Sequence, residues 1–325
     1  TTFTAPAVSV NAFNSLQHLN DVYFAIFKPQ SGDQWDGNVK KYTISGDGTI
    51  LDSSSPPKDA IDSLTGFFSD NARSAWLPAS EGDDGKSVTD GGVAGQLTAA
   101  RTLYTYIDTS DASNENLSSP DNTIEKSNTL LSKSVLDITG ETDAYRDSLV
   151  DWLLGKDVND DKGQGTSGAR KFLADPLHSQ PIAIAYGGTS DDPDTELYYA
   201  DNMGVLHSIK TDTGEERYGF IPQELLPNVN RYFRDATGTS KPYGLDGPLA
   251  AWVNDVNNNG VIYDSSGSLE TDESIYLYVG MRRGGQDYYA LDVTNRSTPK
   301  LMWQIKGGTG DFAELGESWS KPTFA

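Results

Sequence analysis

Three segments of this 325-residue chain repeat one layout: a short alternating strand, a tight turn, and a second strand. Residues 196–214 run strand, turn at Asn202-Met203-Gly204, strand, then a second turn at Asp212-Thr213-Gly214. Residues 275–293 keep the same order, and after a turn near Thr294 the chain reaches another strand at 301–305. Residues 35–50 form a third, weaker copy. Each strand alternates apolar and polar residues and is punctuated by glycine or Asx turns, the pattern of half-buried antiparallel strands. A short strand pair cannot bury its apolar face alone, so repeated sets must stack on one another. The layout therefore predicts a mainly β chain built from β-propeller blades. Three such sets are too few to close a ring, so the propeller is expected to be incomplete in this chain, truncated at its C-terminus.

Residues 53–174 have a different texture. Apolar positions recur at helical spacing over 96–107 and again over 144–154, where Gly155 stands as a stop. Residues 108–121 are rich in Ser, Asn and Asp and read as a flexible loop. The expected organisation is thus 1–52 for the first propeller strands, 53–174 for a helical and loop insertion, and 175–325 for the remaining blades.

Within that last region, oxygen side chains recur at every second position, Asp255, Asn257 and Asn259, and Gly260 follows. A chain wrapping around one hard cation points alternate side chains inward, and a glycine lets it turn sharply after the third ligand. Calcium takes about six to eight oxygens from carboxylates, amides and a backbone carbonyl roughly two residues on, which here is that of Val261. Where an EF-hand loop closes with a bidentate Glu stands Ser266, and Asp264 is the nearest carboxylate able to close the site instead. The same residues also suit a metal-free Asx turn. A weaker second set, Asp157, Asn159 and Asp161, has no clear closing carboxylate and reads equally as a solvated linker. The acidic run 190–196 does not alternate and reads as a charged turn.

The balance of 25 Lys and Arg against 47 Asp and Glu leaves a formal charge of −22. Nucleic acid is therefore not an expected partner, because phosphate binding requires concentrated positive charge. An acidic surface suits solubility and cation capture. The chain has no cysteine, and no apolar run approaches the roughly 20 residues of a membrane span. His18, His178 and His207 lie far apart, which excludes a zinc site of the usual kind and favours structural hydrogen bonding. No nucleophile elbow and no phosphate-binding glycine loop occurs. Trp35, Trp303 and Trp319 lie beside the repeats and are expected in blade cores.

The repeats, with their Gly…Ala-Leu-Asp…Trp texture, resemble quinoprotein-type blades. Several further segments carry a more specific likeness. They are 3–14, Val22-Tyr-Phe-Ala-Ile-Phe-Lys-Pro29, Asp175-Pro-Leu-His-Ser-Gln-Pro181, Phe220-Ile-Pro-Gln-Glu-Leu-Leu-Pro227, 280–292 and Trp319-Ser-Lys-Pro322. In this fixed order they resemble the C-terminal propeller region of the PilC/PilY family of type IV pilus tip adhesins. The resemblance implies a non-enzymatic, calcium-binding protein of the pilus tip or outer surface of a Gram-negative bacterium. It also implies partners among minor pilins or the tip complex, roles in pilus biogenesis and retraction control, and adhesion to host or abiotic surfaces. The family's calcium loop maps onto Asp255, Asn257, Asn259 and the Val261 carbonyl. Its acidic ninth position is Tyr263 here, which leaves Asp264 as the substitute. The competing class is a quinoprotein-type dehydrogenase, which would need a closed ring to cage its cofactor.

Overall fold

The computed structural model describes residues 20–78, 80–108, 115–189, 192–235, 237–238 and 240–323, and the strand Phe3–Ala5. In chain order the strands are β1 (Phe3–Ala5), β2 (Asp21–Lys28), β3 (Asp36–Ile44), β4 (Ile50–Leu51), β5 (Leu103–Tyr104), β6 (Leu173–Ala174) and β7 (Ile182–Gly188). They continue as β8 (Pro193–Ala200), β9 (Leu206–Lys210), β10 (Glu216–Phe220), β11 (Ala250–Asn254), β12 (Ser274–Gly280), β13 (Tyr288–Asp292) and β14 (Lys300–Ile305). The helices are α1 (Gly92–Gln96), α2 (Asp143–Leu153) and α3 (Leu226–Arg234).

The strands assemble into three sheets, ordered β1-β2-β3-β4 with β6 on β3, β5-β10-β9-β8-β7, and β11-β12-β13-β14. β7 to β10 and β11 to β14 are antiparallel meanders in sequence order. The expected strand sets are therefore present, and none of the three sheets closes on itself among the described residues.

Alternation decides which face of each strand is covered. In β12, Ile275, Leu277 and Val279 are fully buried while Tyr276 and Tyr278 are half-buried, the period of a strand with one covered face. β8 is buried on both faces. Its Leu197 and Tyr199 join Tyr23, Ala25 and Val39 of the first sheet. Its Tyr198 and Ala200 join Leu277, Val279 and Leu291 of the third. The three sheets thus stack face to face in chain order, with the middle one as the filling.

Residues 53–174 are woven into this stack. β5 runs parallel to the end of β10, and β6 pairs with the start of β3. Thr142 caps α2 by accepting from the Tyr145 amide at 3.1 Å. The helix ends where Gly155 adopts φ +98°, and a Cβ there would stand 2.4 Å from the Thr98 carbonyl. Leu149, Val150, Trp152 and Leu153 of α2 enter the same core as the second and third sheets.

Two sequence expectations need correction. The helix expected over 96–107 is not formed: α1 stops at Gln96, and Leu103–Tyr104 is a strand. The β-branched residues Thr102, Thr105 and Ile107 fit extended backbone, and the carbonyls of Thr102, Leu103 and Tyr104 all find partners on other segments. Gly219 N–H donates to Thr102 O (2.9 Å), Ile221 N–H to Tyr104 O (2.8 Å) and Ile124 N–H to Leu103 O (2.8 Å). Tertiary pairing overrode the local helical period. The tryptophans are the second case. Trp303 and Trp319 are 40% and 49% exposed, and Trp35 is half-buried against Phe27. β14 is the last strand of its sheet, so Trp303 instead lines an open groove with Tyr106 and Phe312. Of the loop expected over 108–121, residues 109–114 lie outside the described residues, as do His18 and residues 190–191 of the acidic run.

Candidate metal centre

The connection between β11 and β12, residues 255–273, holds the alternating set. Its ends are tied where Asn254 Nδ2 donates to Asp272 O at 2.6 Å. Asp255 Oδ1 accepts from the Asn259 amide (3.2 Å), and its Oδ2 from the Gly260 amide (2.7 Å). Asn257 Oδ1 also accepts from the Asn259 amide (2.9 Å), and Asn259 Oδ1 from the Val261 amide (2.9 Å). The oxygens of the three alternate residues therefore all turn into the loop. The sharp bend needs left-handed backbone, φ +58° at Asn258 and +84° at Gly260, conformations that Asn and Gly tolerate best.

The loop is pinned immediately afterwards. Ile262 is fully buried, and the amides of Ile262 and Tyr263 both donate to Tyr186 O at 3.0 and 2.7 Å. The Tyr263 ring stacks on Tyr186, and its hydroxyl donates to Thr294 O at 2.9 Å. This explains the tyrosine at the ninth position: its side chain is a peg between the second and third sheets. Asp264 begins a separate turn, where its Oδ1 accepts from Ser266 N, Ser266 Oγ and Ser268 N at 2.8, 2.6 and 3.0 Å. The Ser266 hydroxyl, with these amides, holds its carboxyl below the ordinary range.

Two acids missed in the sequence approach from the returning arm. Glu270 accepts from Asn259 Nδ2 at 2.8 Å and from Asn257 Nδ2. Glu273 is 4% exposed, and neither of its carboxylate oxygens has a hydrogen-bond partner. Burial pushes its carboxyl up and the charges of Asp255 and Glu270 add to that, while the backbone amides of Asn257 and Val256, near it but short of hydrogen-bond geometry, oppose it. Both acids stand just ahead of the next strand, outside the loop's own run, where the spacing of the ligand set does not point to them.

These donors suit a hard cation. All are oxygens of carboxylates and side-chain amides, and a buried carboxylate lying beside two others is relieved by positive charge. Among the described residues no group of three His, Cys, Asp or Glu is gathered to hold a metal ion, so the acids here are neighbours rather than a preassembled cage.

The second set differs. Asp157 is buried and accepts from the Lys162 amide (3.2 Å) and the Gln164 amide (3.0 Å), while Asn159 and Asp161 are exposed. Although Asp161 stays exposed, partial desolvation and the hydrogen bond to Asp157 push its carboxyl up. Asp157 is held low against its burial by that same bond and by the two amides. These interactions build a self-satisfied turn behind α2. The two described histidines are structural, as expected: His178 pairs with Asp246 at 2.8 Å, and His207 is buried between Asp201 and Glu216.

The chain has relatives with names. Over 166 residues, 47% of this chain and 12% of the relative, it is 27% identical to the type IV pilus biogenesis factor PilY1 of Pseudomonas aeruginosa strain UCBPP-PA14. Over 130 residues, 40% of this chain and 9% of the relative, it is 32% identical to the PilY1 homolog of Xylella fastidiosa strain Temecula1. A third match, to PilY1 of Pseudomonas aeruginosa strain PAO1, is 27% identical over 177 residues, 53% of this chain and 14% of the relative. The chain therefore spans about a tenth of the length of these relatives. No family model matches it, and no solved structure matches it significantly. The kinship bears out the family resemblance seen in the sequence.

Proposed function

Because over about half its length this chain is PilY1-family sequence, we propose that it acts, without catalysis, in type IV pilus biogenesis and binds calcium through its 255–261 loop. In this reading the stacked sheets are propeller blades, and the protein works at the pilus tip or outer cell surface with minor pilins. There it supports adhesion and limits retraction. The observation that carries the calcium reading is the inward turn of Asp255, Asn257 and Asn259 beside the unpartnered Glu273. Such a site acts as a switch by stabilising whichever state binds the ion. The loop is well placed for that, since Ile262 and Tyr263 bolt it to the second sheet while its ends belong to the third.

Calcium at a hundredfold excess over its dissociation constant is expected to stabilise the wild type by about 2.7 kcal/mol. Asp255→Ala is expected to abolish that gain and leave the chelator-treated protein folded. Thermal melts with and without calcium read both outcomes. An Asp255→Ala protein that still gained the wild-type increment would overturn the assignment. Among the described residues no helix is long and apolar enough to cross a membrane.

A further inference from the structure

Three carboxylates surround the loop, those of Asp255, Glu270 and Glu273, and none of them forms an ion pair among the described residues. They differ in what already holds them. Asp255 receives two backbone amides of its own loop, and Glu270 receives the side-chain amides of Asn257 and Asn259. Glu273 is more than nine-tenths buried, with both oxygens unpartnered, and the backbone and side chains around it are those of the loop. A buried carboxylate without a partner is costly, and the neighbouring charges here share its sign. Asp264, the alternative within the run, is exposed and already held by three donors of its own turn.

We infer that Glu273 supplies the closing carboxylate of the cation site, in place of an acid at position 263, so that the ligands come from both arms of the β11–β12 connection. The ion is a divalent, oxygen-seeking one of the calcium class. The inference rests on the calcium reading of the loop. Its consequence is mechanical: the loop of Asp255 and the arm that enters β12 are joined through the ion, whereas an acid at position 263 would have closed the loop on itself.

The test is calorimetric titration of calcium chloride into chelator-stripped wild type, Glu273→Gln and Asp264→Asn, with melts of each in chelator. Glu273→Gln is expected to weaken calcium binding by about tenfold or more, because calcium affinity follows the number of charged ligands. Asp264→Asn is expected to stay within about twofold of wild type, since it removes no ligand. In chelator, Glu273→Gln is expected to melt no lower than wild type, because it removes one of three clustered like charges. Wild type that takes up no calcium sinks the calcium reading itself. Wild type that binds while Glu273→Gln binds equally well leaves that reading standing and overturns the Glu273 assignment, as does loss of binding in Asp264→Asn alone. Should Glu273→Gln fail to fold, Glu273→Asp draws the carboxylate back by one methylene, and unchanged affinity in that variant overturns the assignment too.

Discussion

Arg101→Ala is expected to destabilise the protein by about 3–5 kcal/mol, the cost of stranding a buried charge. The guanidinium lies just ahead of β5 and grips Glu216 of β10 in a bidentate pair, Nε and Nη2 to the two carboxylate oxygens at 2.6 and 2.8 Å. Glu216 Oε1 also bonds His207 Nδ1 at 2.7 Å, and His207 Nε2 bonds Asp201 Oδ2 at 3.1 Å. Tyr199 stacks on the imidazole at 4.5 Å. The Arg101 and Glu216 side chains are 1% and 4% exposed and those of His207 and Asp201 fully buried, so water cannot replace a missing partner. Removing Arg101 leaves two carboxylates facing one imidazolium inside the core. Against a total stability of about 5–15 kcal/mol, that is enough to populate unfolded chains. By contrast, Lys86 pairs with Asp70 while both are about two-thirds exposed, and Lys86→Ala should cost no more than about 1 kcal/mol. Urea unfolding compares the two, and an Arg101 variant within about 1 kcal/mol of wild type would show that the network is not energetically coupled.

The same network carries a pH signature. Burial opposes ionisation of Glu216, but Arg101 outweighs it and brings the carboxyl down from 4.5 to about 2. A depressed acid contributes stability that is complete above its unfolded value and is lost as pH falls toward the folded one. For His207, burial favours the neutral ring, yet the hydrogen bonds to Asp201 and Glu216 win and raise it above 6.5. Its contribution is complete below 6.5 and fades as pH rises through the raised value. The network is thus at full strength between about pH 4.5 and 6.5. The stability penalty of Glu216→Gln relative to wild type should be greatest in that window and shrink toward pH 2. A penalty constant from pH 2 to 6 would contradict it.

What the sequence disclosed follows the range over which each interaction acts. The β8–β9 and β12–β13 strand pairs were legible because period-2 burial and turn residues are local properties. α2 was legible too, since its apolar spacing ends at a glycine that only left-handed backbone explains. The segment 96–107 was not, because its fate depends on pairing with β10, more than a hundred residues further on, and a helical period there was coincidental. The loop's Asp255, Asn257 and Asn259 are readable as a spacing. Glu273 is not, because its relevance comes from how the connection folds back and not from its distance along the run. Trp303 and Trp319 misled for a related reason: aromatic content predicts burial, but Trp303 lies on the last strand of its sheet and Trp319 on the irregular segment after it, over the Arg282 guanidinium. Arg101 and Glu216 carry no local signal, because 115 residues of chain separate them and only the fold brings them together.

Trp152→Ala should be as damaging as the loss of Arg101, through packing rather than charge. The indole is fully buried on α2 and meets Phe233 of α3 edge to face at 5.7 Å. Its other face carries the Arg170 guanidinium at 3.6 Å, and Arg170 also lies over Phe172 at 4.7 Å. Removing a buried indole costs about 3–5 kcal/mol, and a desolvated cation–π contact adds up to about 2 kcal/mol. Arg170 is an unusual neighbour. Its Nε and Nη1 have no hydrogen-bond partner, and burial together with the Arg101 charge brings the guanidinium down to about 9. Its Nη2 reaches the Trp152 carbonyl at 3.3 Å and the charges of Asp161 and Asp157 act on it, and the aromatic faces supply the rest of its compensation for leaving water. It follows that Arg170→Met, which keeps the bulk and drops the charge, should be neutral or stabilising, as replacement of buried charges by apolar groups often is. In the Arg170→Met background, Trp152→Ala should cost about 1–2 kcal/mol less than in wild type, because no cation is left stranded. Equal costs in the two backgrounds, within about 0.5 kcal/mol, would mean that the stacking is geometry without coupling and that Arg170 is held by something other than the indole.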